Sequence, residues 1–500
     1  MDTAVQTMKS VPTGSDGLDS ILAGGYAPNR VHLIEGSPGT GKTTLALQFL
    51  LAGVRNGERG LYITLSETRD ELLQVAGTHG WTLDGIEIFE LIPPELSLDP
   101  NQAQSVLYAS DLELGETVRM VLDEVARTRP TRIVFDSLSE IRLLAQGAMR
   151  YRRQVLALKH FFAQHGATVL FLDDLTSSEN DVDLHSLVHG VIRLEQLAID
   201  YGAERRRIRV FKMRARRFRG GYHDYVIRRG GLDIFPRLIA AEHHRDYSDG
   251  TIESGVGELD AILGGGLDRG TSTLILGPSG AGKSTVALQY LYAAMERGEK
   301  TLIVAFDETQ RIFLRRTKGL GFDTDKFHRN GMLRIAQVDP AELSPGELSG
   351  MVRDAVDKDG VRAVLLDSLS GYQHAMLNEQ HLLLQMHELL TYLNQQGVVT
   401  IMVLAQHGLV GPMQTSVDLT YVSDTVLLLR YFEAGGRIRR ALSVLKKRTG
   451  AHEATIRELN ISSQGIRVGA PLDEFQGVLT GVPEFLGENA QLLKTGFDDR

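Results

Sequence analysis

Residues 36–44 read Gly36-Ser37-Pro38-Gly39-Thr40-Gly41-Lys42-Thr43-Thr44, and residues 277–285 read Gly277-Pro278-Ser279-Gly280-Ala281-Gly282-Lys283-Ser284-Thr285. Both fit G-x-x-x-x-G-K-[ST], and they stand in register within a longer repeat. Upstream, Thr13-Gly14-Ser15-Asp16-Gly17-Leu18-Asp19-Ser20-Ile21-Leu22-Ala23-Gly24-Gly25 recurs as Ser254-Gly255-Val256-Gly257-Glu258-Leu259-Asp260-Ala261-Ile262-Leu263-Gly264-Gly265-Gly266. Downstream, Gly57-Glu58 matches Gly298-Glu299 and Glu67-Thr68 matches Glu308-Thr309 without a gap. After insertions, Asp136-Ser137-Leu138-Ser139 matches Asp367-Ser368-Leu369-Ser370, and Lys212-Met213-Arg214 matches Lys446-Lys447-Arg448. So many ordered matches define a duplication of long period. Two homologous domains are expected, 1–240 and 241–470, with a tail, 471–500, that has no counterpart and is expected to be mobile.

Within each half, apolar runs alternate with amphipathic stretches, the pattern of an α/β fold with a mainly parallel sheet covered by helices. The runs predict strands at Arg30–Glu35, Gly60–Leu65, Arg132–Asp136, Thr168–Leu172 and Gly190–Leu194. In the second half they predict strands at Thr273–Leu276, Thr301–Phe306, Ala363–Asp367, Val399–Leu404 and Thr425–Leu429. Helices are expected at Thr43–Ala52 and Ser284–Met295, each opening at the end of a Gly-rich loop. The composition is that of an ordinary globular chain: 500 residues, 42% hydrophobic and 23% charged. With no cysteine, thiolate metal sites and cysteine nucleophiles are excluded. A net charge of −9 argues against nucleic acid as a partner. No apolar run approaches the ~18 residues of a membrane helix, and the opening MDTAVQTMKS lacks a secretory pattern, so a cytoplasmic location is expected.

A Gly-rich loop between a strand and a helix turns successive N–H groups and the helix N-terminus toward phosphate oxygens. ATP is therefore expected on Gly36–Thr44 and on Gly277–Thr285. Lys42 and Lys283 would meet the β- and γ-phosphates, and the hydroxyls of Thr43 and Ser284 would ligate Mg²⁺. Asp136 and Asp367 end apolar strands and are candidates for the magnesium water shell; capping the following helix is the other role open to them. Glu67 and Glu308 follow the second strand of each half, where a carboxylate could take a proton from a nucleophile in line with the γ-phosphate, or simply close the strand. The second half adds Asp307 beside Glu308 where the first has Ser66, so its site is expected to be the more acidic and to behave differently.

The order and spacing of these motifs over residues 8–468 resemble the KaiC family of tandem RecA-like P-loop NTPases. The resemblance implies a nucleotide-dependent homohexamer, a two-tier ring with ATP at the subunit interfaces, read by a KaiB-like or other signalling protein. It also implies that Lys212 and Arg214, and Lys446 and Arg448, reach a neighbouring subunit's γ-phosphate. In the family, the second domain autophosphorylates an adjacent Ser-Thr pair before a strand matching Ser423–Leu429. The residues in that place here are Thr420 and Tyr421, so the tyrosine departs from the pattern. The implied activity is that of an ATPase and serine/threonine autokinase. Two rival readings remain: a DNA-dependent motor of related fold, and a slow ATP-bound switch. The arginine-dense stretch Glu204–Gly220 and the arginines of Ile141–Arg153 bear on the first rival. Interface pairing is the preferred reading of Glu204–Gly220. Val188-His189-Gly190 stands where the second half has Ser423-Asp424-Thr425, and His189 is expected to be a packed or surface residue.

Overall fold

The computed structural model describes residues 9–91, 109–145, 147–175, 182–198, 202–239, 242, 244–374, 379–406, 418–479 and 484–487. The far end of the tail, 488–500, lies outside them, as does His243. The chain divides into two compact units, one formed by Met1–Asp200 and Glu204–Arg237, the other by Tyr201–Ala203 and Leu238–Arg500.

The first unit is built on nine strands: β1 Val31–Gly36, β2 Gly60–Thr64, β3 Ile86–Glu90, β4 Arg132–Asp136, β5 Thr168–Asp174, β6 Gly190–Leu197, β7 Arg205–Met213, β8 Tyr222–Arg228 and β9 Gly231–Phe235. Their spatial order is β3-β2-β4-β5-β1-β6-β7-β8-β9. Strands β3 to β6 are parallel, and β7 to β9 continue the sheet antiparallel. In the second unit, a short ribbon of β10 Thr251–Ile252 and β11 Leu267–Asp268 precedes the sheet. The sheet contains β12 Ser272–Gly277, β13 Thr301–Ala305, β14 Leu333–Gln337, β15 Ala363–Asp367, β16 Val399–Ala405, β17 Thr425–Ala434, β18 Arg437–Lys447, β19 Arg457–Ser462 and β20 Gly465–Pro471. Its order, β14-β13-β15-β16-β12-β17-β18-β19-β20, repeats that of the first.

A central parallel strand is buried on both faces, which is why β1, β2, β4, β12 and β13 are buried along their whole length and read as mainly apolar runs. Alternate residues serve opposite layers. On β1, Ile34 packs with Leu45 and Phe49 of the helix Lys42–Arg55, while Val31 and Leu33 pack with Val155, Leu158 and Phe162 of the helix Ala148–Gln164. Ile275 and Leu274 divide the second unit's core in the same way.

The ten expected strands are present with shifts of one or a few residues at their ends, and the two expected helices run Lys42–Arg55 and Lys283–Glu296. Of the antiparallel extension, only a strand pair within Glu204–Gly220 was expected. Strand β7 falls inside the arginine-dense stretch, where Ile208 and Val210 alternate inward between arginines. Those arginines find partners within the unit: Arg207 pairs with Glu195 and stacks on Tyr222, and Arg209 lies over Phe211 and Tyr222. The expectation of a mobile tail is corrected for its first residues. Leu472 and Val478 are buried with Phe432 and Ala441, and β21 Phe475–Gln476 pairs with β22 Glu484–Phe485.

Candidate functional site

Both Gly-rich loops leave the C-terminal end of the sheet's central strand and turn into a helix. Gly41 (φ +90°) and Gly282 (φ +100°) adopt the left-handed backbone conformation that starts each helix. A side chain at Gly41 would be strained by that φ and would strike Ile227 Cδ1 at 2.8 Å; at Gly282 it would strike Ile461 Cδ1 at 2.2 Å. The turn therefore favours glycine at this corner, and the isoleucine methyls beneath it would have to shift for any larger residue.

In the first unit Lys42 is 9% exposed, and its Nζ donates to the carbonyls of Gly36 (2.8 Å) and Ser37 (3.2 Å). It also lies 2.7 Å from Asp174 Oδ1. Asp136, buried at the end of β4, accepts a 2.5 Å hydrogen bond from the Tyr62 hydroxyl, and burial pushes its carboxyl up. Glu67 follows β2, its backbone N–H donating to Thr64 Oγ1 at 2.9 Å. Its Oε2 is buried without a hydrogen-bond partner, and burial, with the Asp136 carboxylate beside it, pushes the group up to about 7.

The second unit builds the same site from different pairings. Lys283, 7% exposed, donates to the Pro278 carbonyl at 2.8 Å, and burial draws its ammonium down to about 8. Ser284 Oγ donates to Asp367 Oδ1 at 3.0 Å, bringing together the hydroxyl and carboxylate expected to serve a metal ion. Glu308 is ion-paired with Arg316 at 2.7 Å, and Asp307 accepts from Ser368 Oγ at 2.7 Å. A cavity of about 630 Å³ is lined by Ser279, Lys283, Ser284, Glu308, Arg316 and Asp367 among others.

Sequence reading missed Asp174, Tyr62 and Arg316. Asp174 corrects the expectation that the second site carries more acid. Strand register places Asp174 beside Gly36, whereas Ala405 stands beside Gly277. The first site thus carries Glu67, Asp136 and Asp174 and the second Asp307, Glu308 and Asp367, and among the described residues only the second shows an arginine ion-paired with its strand-end glutamate. A signal was present in Asp173-Asp174 following an apolar run, but the pairing that carries it to the loop is long-range.

The two Lys-x-Arg pairs lie elsewhere. Lys212 is paired with Val191 across β6 and β7, and Val191 with Leu33 of β1, so its backbone is about 10 Å along the strands from Gly36, where the Gly-rich loop begins. Lys212 Nζ donates to the carbonyls of His185 and Val188, and Arg214 to that of Ser186. In the second unit Lys446 donates to the carbonyls of Thr420 and Ser423, both at 2.7 Å, and Arg448 to that of Tyr421 at 2.6 Å. The phosphoacceptor candidates therefore sit at the sheet edge opposite their own unit's Gly-rich loop. Thr420 Oγ1 donates to Asp418 Oδ1 at 2.5 Å, and Tyr421 is 54% exposed.

Arg142, one of the arginines that favoured a nucleic-acid reading, pairs with Asp173 at 2.7 Å and lies over Tyr151. Among the described residues no helix is long and apolar enough to cross a membrane.

A family model described as "ATPase: KaiC" matches residues 11–239 and 252–473. The circadian clock protein KaiC3 of Synechocystis sp. is 26% identical over 514 aligned positions covering 100% of both chains. The circadian clock oscillator protein KaiC of Thermostichus vulcanus is 26% identical over 95% of this chain and 92% of its own length, and that of Picosynechococcus sp. is 25% identical over 96% and 93%.

Proposed function

The chain belongs to the KaiC family of ATPases, and from that premise we propose that it is a Mg²⁺-dependent ring ATPase whose second unit also acts as an autokinase. The observation that carries the reading is the separation of parts within each unit. A Gly-rich loop, a strand-end aspartate and a following glutamate share one sheet edge, while the Lys-x-Arg pair occupies the other. A cationic pair whose side chains are tied to carbonyls at the other sheet edge, its lysine about 10 Å along the strands from its own loop, suits a nucleotide held by another copy, so the unit would be complete only in an assembly. The homohexamer of the resemblance meets that need, with Lys212, Arg214, Lys446 and Arg448 meeting the γ-phosphate across each interface.

Each loop would hold ATP by backbone N–H groups and by Lys42 or Lys283. Thr43 with Asp136, and Ser284 with the Asp367 it bonds, would hold Mg²⁺, which would offset phosphate charge. In the first unit, Glu67 takes a proton from water as the water oxygen bonds to the γ-phosphorus. The bond to the β-γ bridging oxygen breaks, and ADP and phosphate leave. The buried, unpartnered Oε2 of Glu67 supports this role. In the second unit the nucleophile is the Thr420 hydroxyl of a neighbouring copy. Its proton passes to Glu308, its oxygen bonds to the γ-phosphorus, and ADP leaves. Tyr421 holds its ring oxygen further from the backbone than a threonine would, so Thr420 is the preferred acceptor. A protein that reports nucleotide state to a KaiB-like or other signalling partner is the output this arrangement suits.

The test is phosphosite mapping by mass spectrometry after incubation of the pure protein with Mg·ATP, beside Glu308→Gln. Phosphate on Thr420 that disappears in Glu308→Gln supports the autokinase. ATP hydrolysis with no phosphorylated residue would leave a ring ATPase whose output is conformational.

A further inference from the structure

The two units carry opposite charge at one corresponding place. Just before β17, the Asp424 N–H donates to the Ser272 carbonyl at 2.9 Å, and the Arg448 N–H donates to the Asp424 carbonyl at 3.0 Å. Asp424 Oδ2 accepts from Ser272 N (2.9 Å), Ser272 Oγ (3.0 Å) and Asn394 Nδ2 (3.2 Å), and Oδ1 lies 3.4 Å from Arg448. In the first unit the same backbone bonds define the place of His189, whose N–H donates to the Val31 carbonyl at 2.9 Å and whose carbonyl accepts from Arg214 N–H at 3.0 Å. The strand and helix registers then set Arg30 against Thr271, Lys159 against Leu390, and Ala163 against Asn394. One carboxylate and its supporting amide are lost, and two cations are gained.

A cavity of about 210 Å³ opens there, lined by Asn29, Arg30, Lys159, Ala163, His189 and Arg214. Cations from three separate elements converge on it: the start of β1, the helix Ala148–Gln164 and the end of β7. Among the described residues, no carboxylate pairs with Arg30, Lys159 or Arg214. His189 Nε2 is buried without a hydrogen-bond partner. Burial and the charges of Arg214 and Arg30 draw the Lys159 ammonium down, the mark of a cation cluster that lacks its counter-charge.

We propose that this cavity is an oxyanion site for phosphate, the bound anion taking the place that the Asp424 carboxylate fills in the second unit. Planar guanidinium groups and an ammonium offer charge-assisted hydrogen bonds to several oxygens at once, which a tetrahedral dianion satisfies and a chloride does not. Arg30, Lys159 and His189 lie outside the Lys212–Arg214 pair, so the site extends beyond the proposed ATP interface while sharing Arg214 with it, and it is tested by binding rather than by turnover.

The test uses the full chain carrying Lys42→Ala and Lys283→Ala, which removes the phosphate-binding lysine of both Gly-rich loops. Inorganic phosphate is titrated by calorimetry and by thermal shift, in parallel with ATP. The parent should bind phosphate, and His189→Asp and Lys159→Leu should each weaken it by about tenfold or more. His189→Asp puts at this place the residue that the second unit carries there, so its fold is expected to survive; circular dichroism checks it. Binding of ATP without free phosphate, lost in both variants, assigns the site to a nucleotide's terminal phosphate; binding of both assigns it to free phosphate. No binding by the parent, or unchanged binding in the two variants, overturns the proposal. Loss of turnover in the intact protein would bear on the ATPase reading alone.

Discussion

Lys42 Nζ lies 2.7 Å from Asp174 Oδ1, while the residue that replaces Asp174 beside Lys283 is Ala405. The two lysines therefore meet an incoming phosphate from different starting points. Lys42 must share its charge with a carboxylate that stays in place when a phosphate arrives, and that carboxylate then repels the added negative charge. Asp174→Ala, the second unit's own residue, is expected to raise ATP affinity at the first site by about tenfold. Nucleotide titration in a Lys283→Ala protein isolates that site. An unchanged or weaker affinity would show that Asp174 does not oppose the phosphate.

Glu67 should impose a pH dependence on hydrolysis in the first unit. A general base acts as its carboxylate, and this one is pushed up to about 7 by burial and by Asp136. Turnover by a Lys283→Ala protein is expected to rise through pH 6–8 and level off above it. Glu67→Gln should lower turnover by at least about a hundredfold and remove the rise. A flat profile in the parent would take the base role from Glu67.

The two strand-end glutamates should also differ in their effect on stability. Glu67 has a folded pKa above its unfolded value of about 4.5, so the folded state binds the proton more tightly. Its carboxylate then opposes folding by an amount that grows from about pH 4.5 to 7 and stays constant above. Partial exposure reduces that opposition to about 1–2 kcal/mol. Glu67→Gln is expected to stabilise the first unit at pH 8 and to have little effect at pH 4. Glu308 is ion-paired with Arg316, so Glu308→Gln at pH 8 should be neutral or destabilising. Thermal unfolding of both variants at the two pH values checks the opposite signs; destabilisation by Glu67→Gln at pH 8 would contradict them.

Much of the nucleotide site was legible because it is local. A Gly-rich loop, its lysine and its hydroxyl are contiguous, and the backbone conformation they need at Gly41 and Gly282 restricts the residues at those corners. The parallel strands were legible because burial on both faces leaves runs that are mainly apolar. Asp174 was not, because it reaches the loop through strand register between β1 and β5, which no contiguous pattern records. Tyr62 and Arg316 stayed hidden for the same reason: Tyr62 meets Asp136 across neighbouring strands, and Arg316 meets Glu308 across a helix turn beyond the strand. A strand pair was legible in the arginine-dense stretch, but the partners of β7's arginines were not, because Glu195 and Tyr222, which meet Arg207, lie on adjacent strands.

The position of the Lys-x-Arg pairs yields the last prediction. Arg448 holds the Tyr421 carbonyl at the sheet edge opposite Lys283's loop, so the two should serve different nucleotides. Two proteins test this, each also carrying Glu67→Gln to silence the first unit. One adds Arg448→Ala and keeps an intact loop; the other adds Lys283→Ala and keeps an intact arginine. Each alone should be nearly inactive in the second unit. After co-assembly from dissociated subunits, an interface formed by the loop of the first and the arginine of the second is whole. Random mixing makes about a quarter of the interfaces of this kind, so about a quarter of the Glu67→Gln turnover should return. Action within one chain would return none, and the ring arrangement would lose its main support.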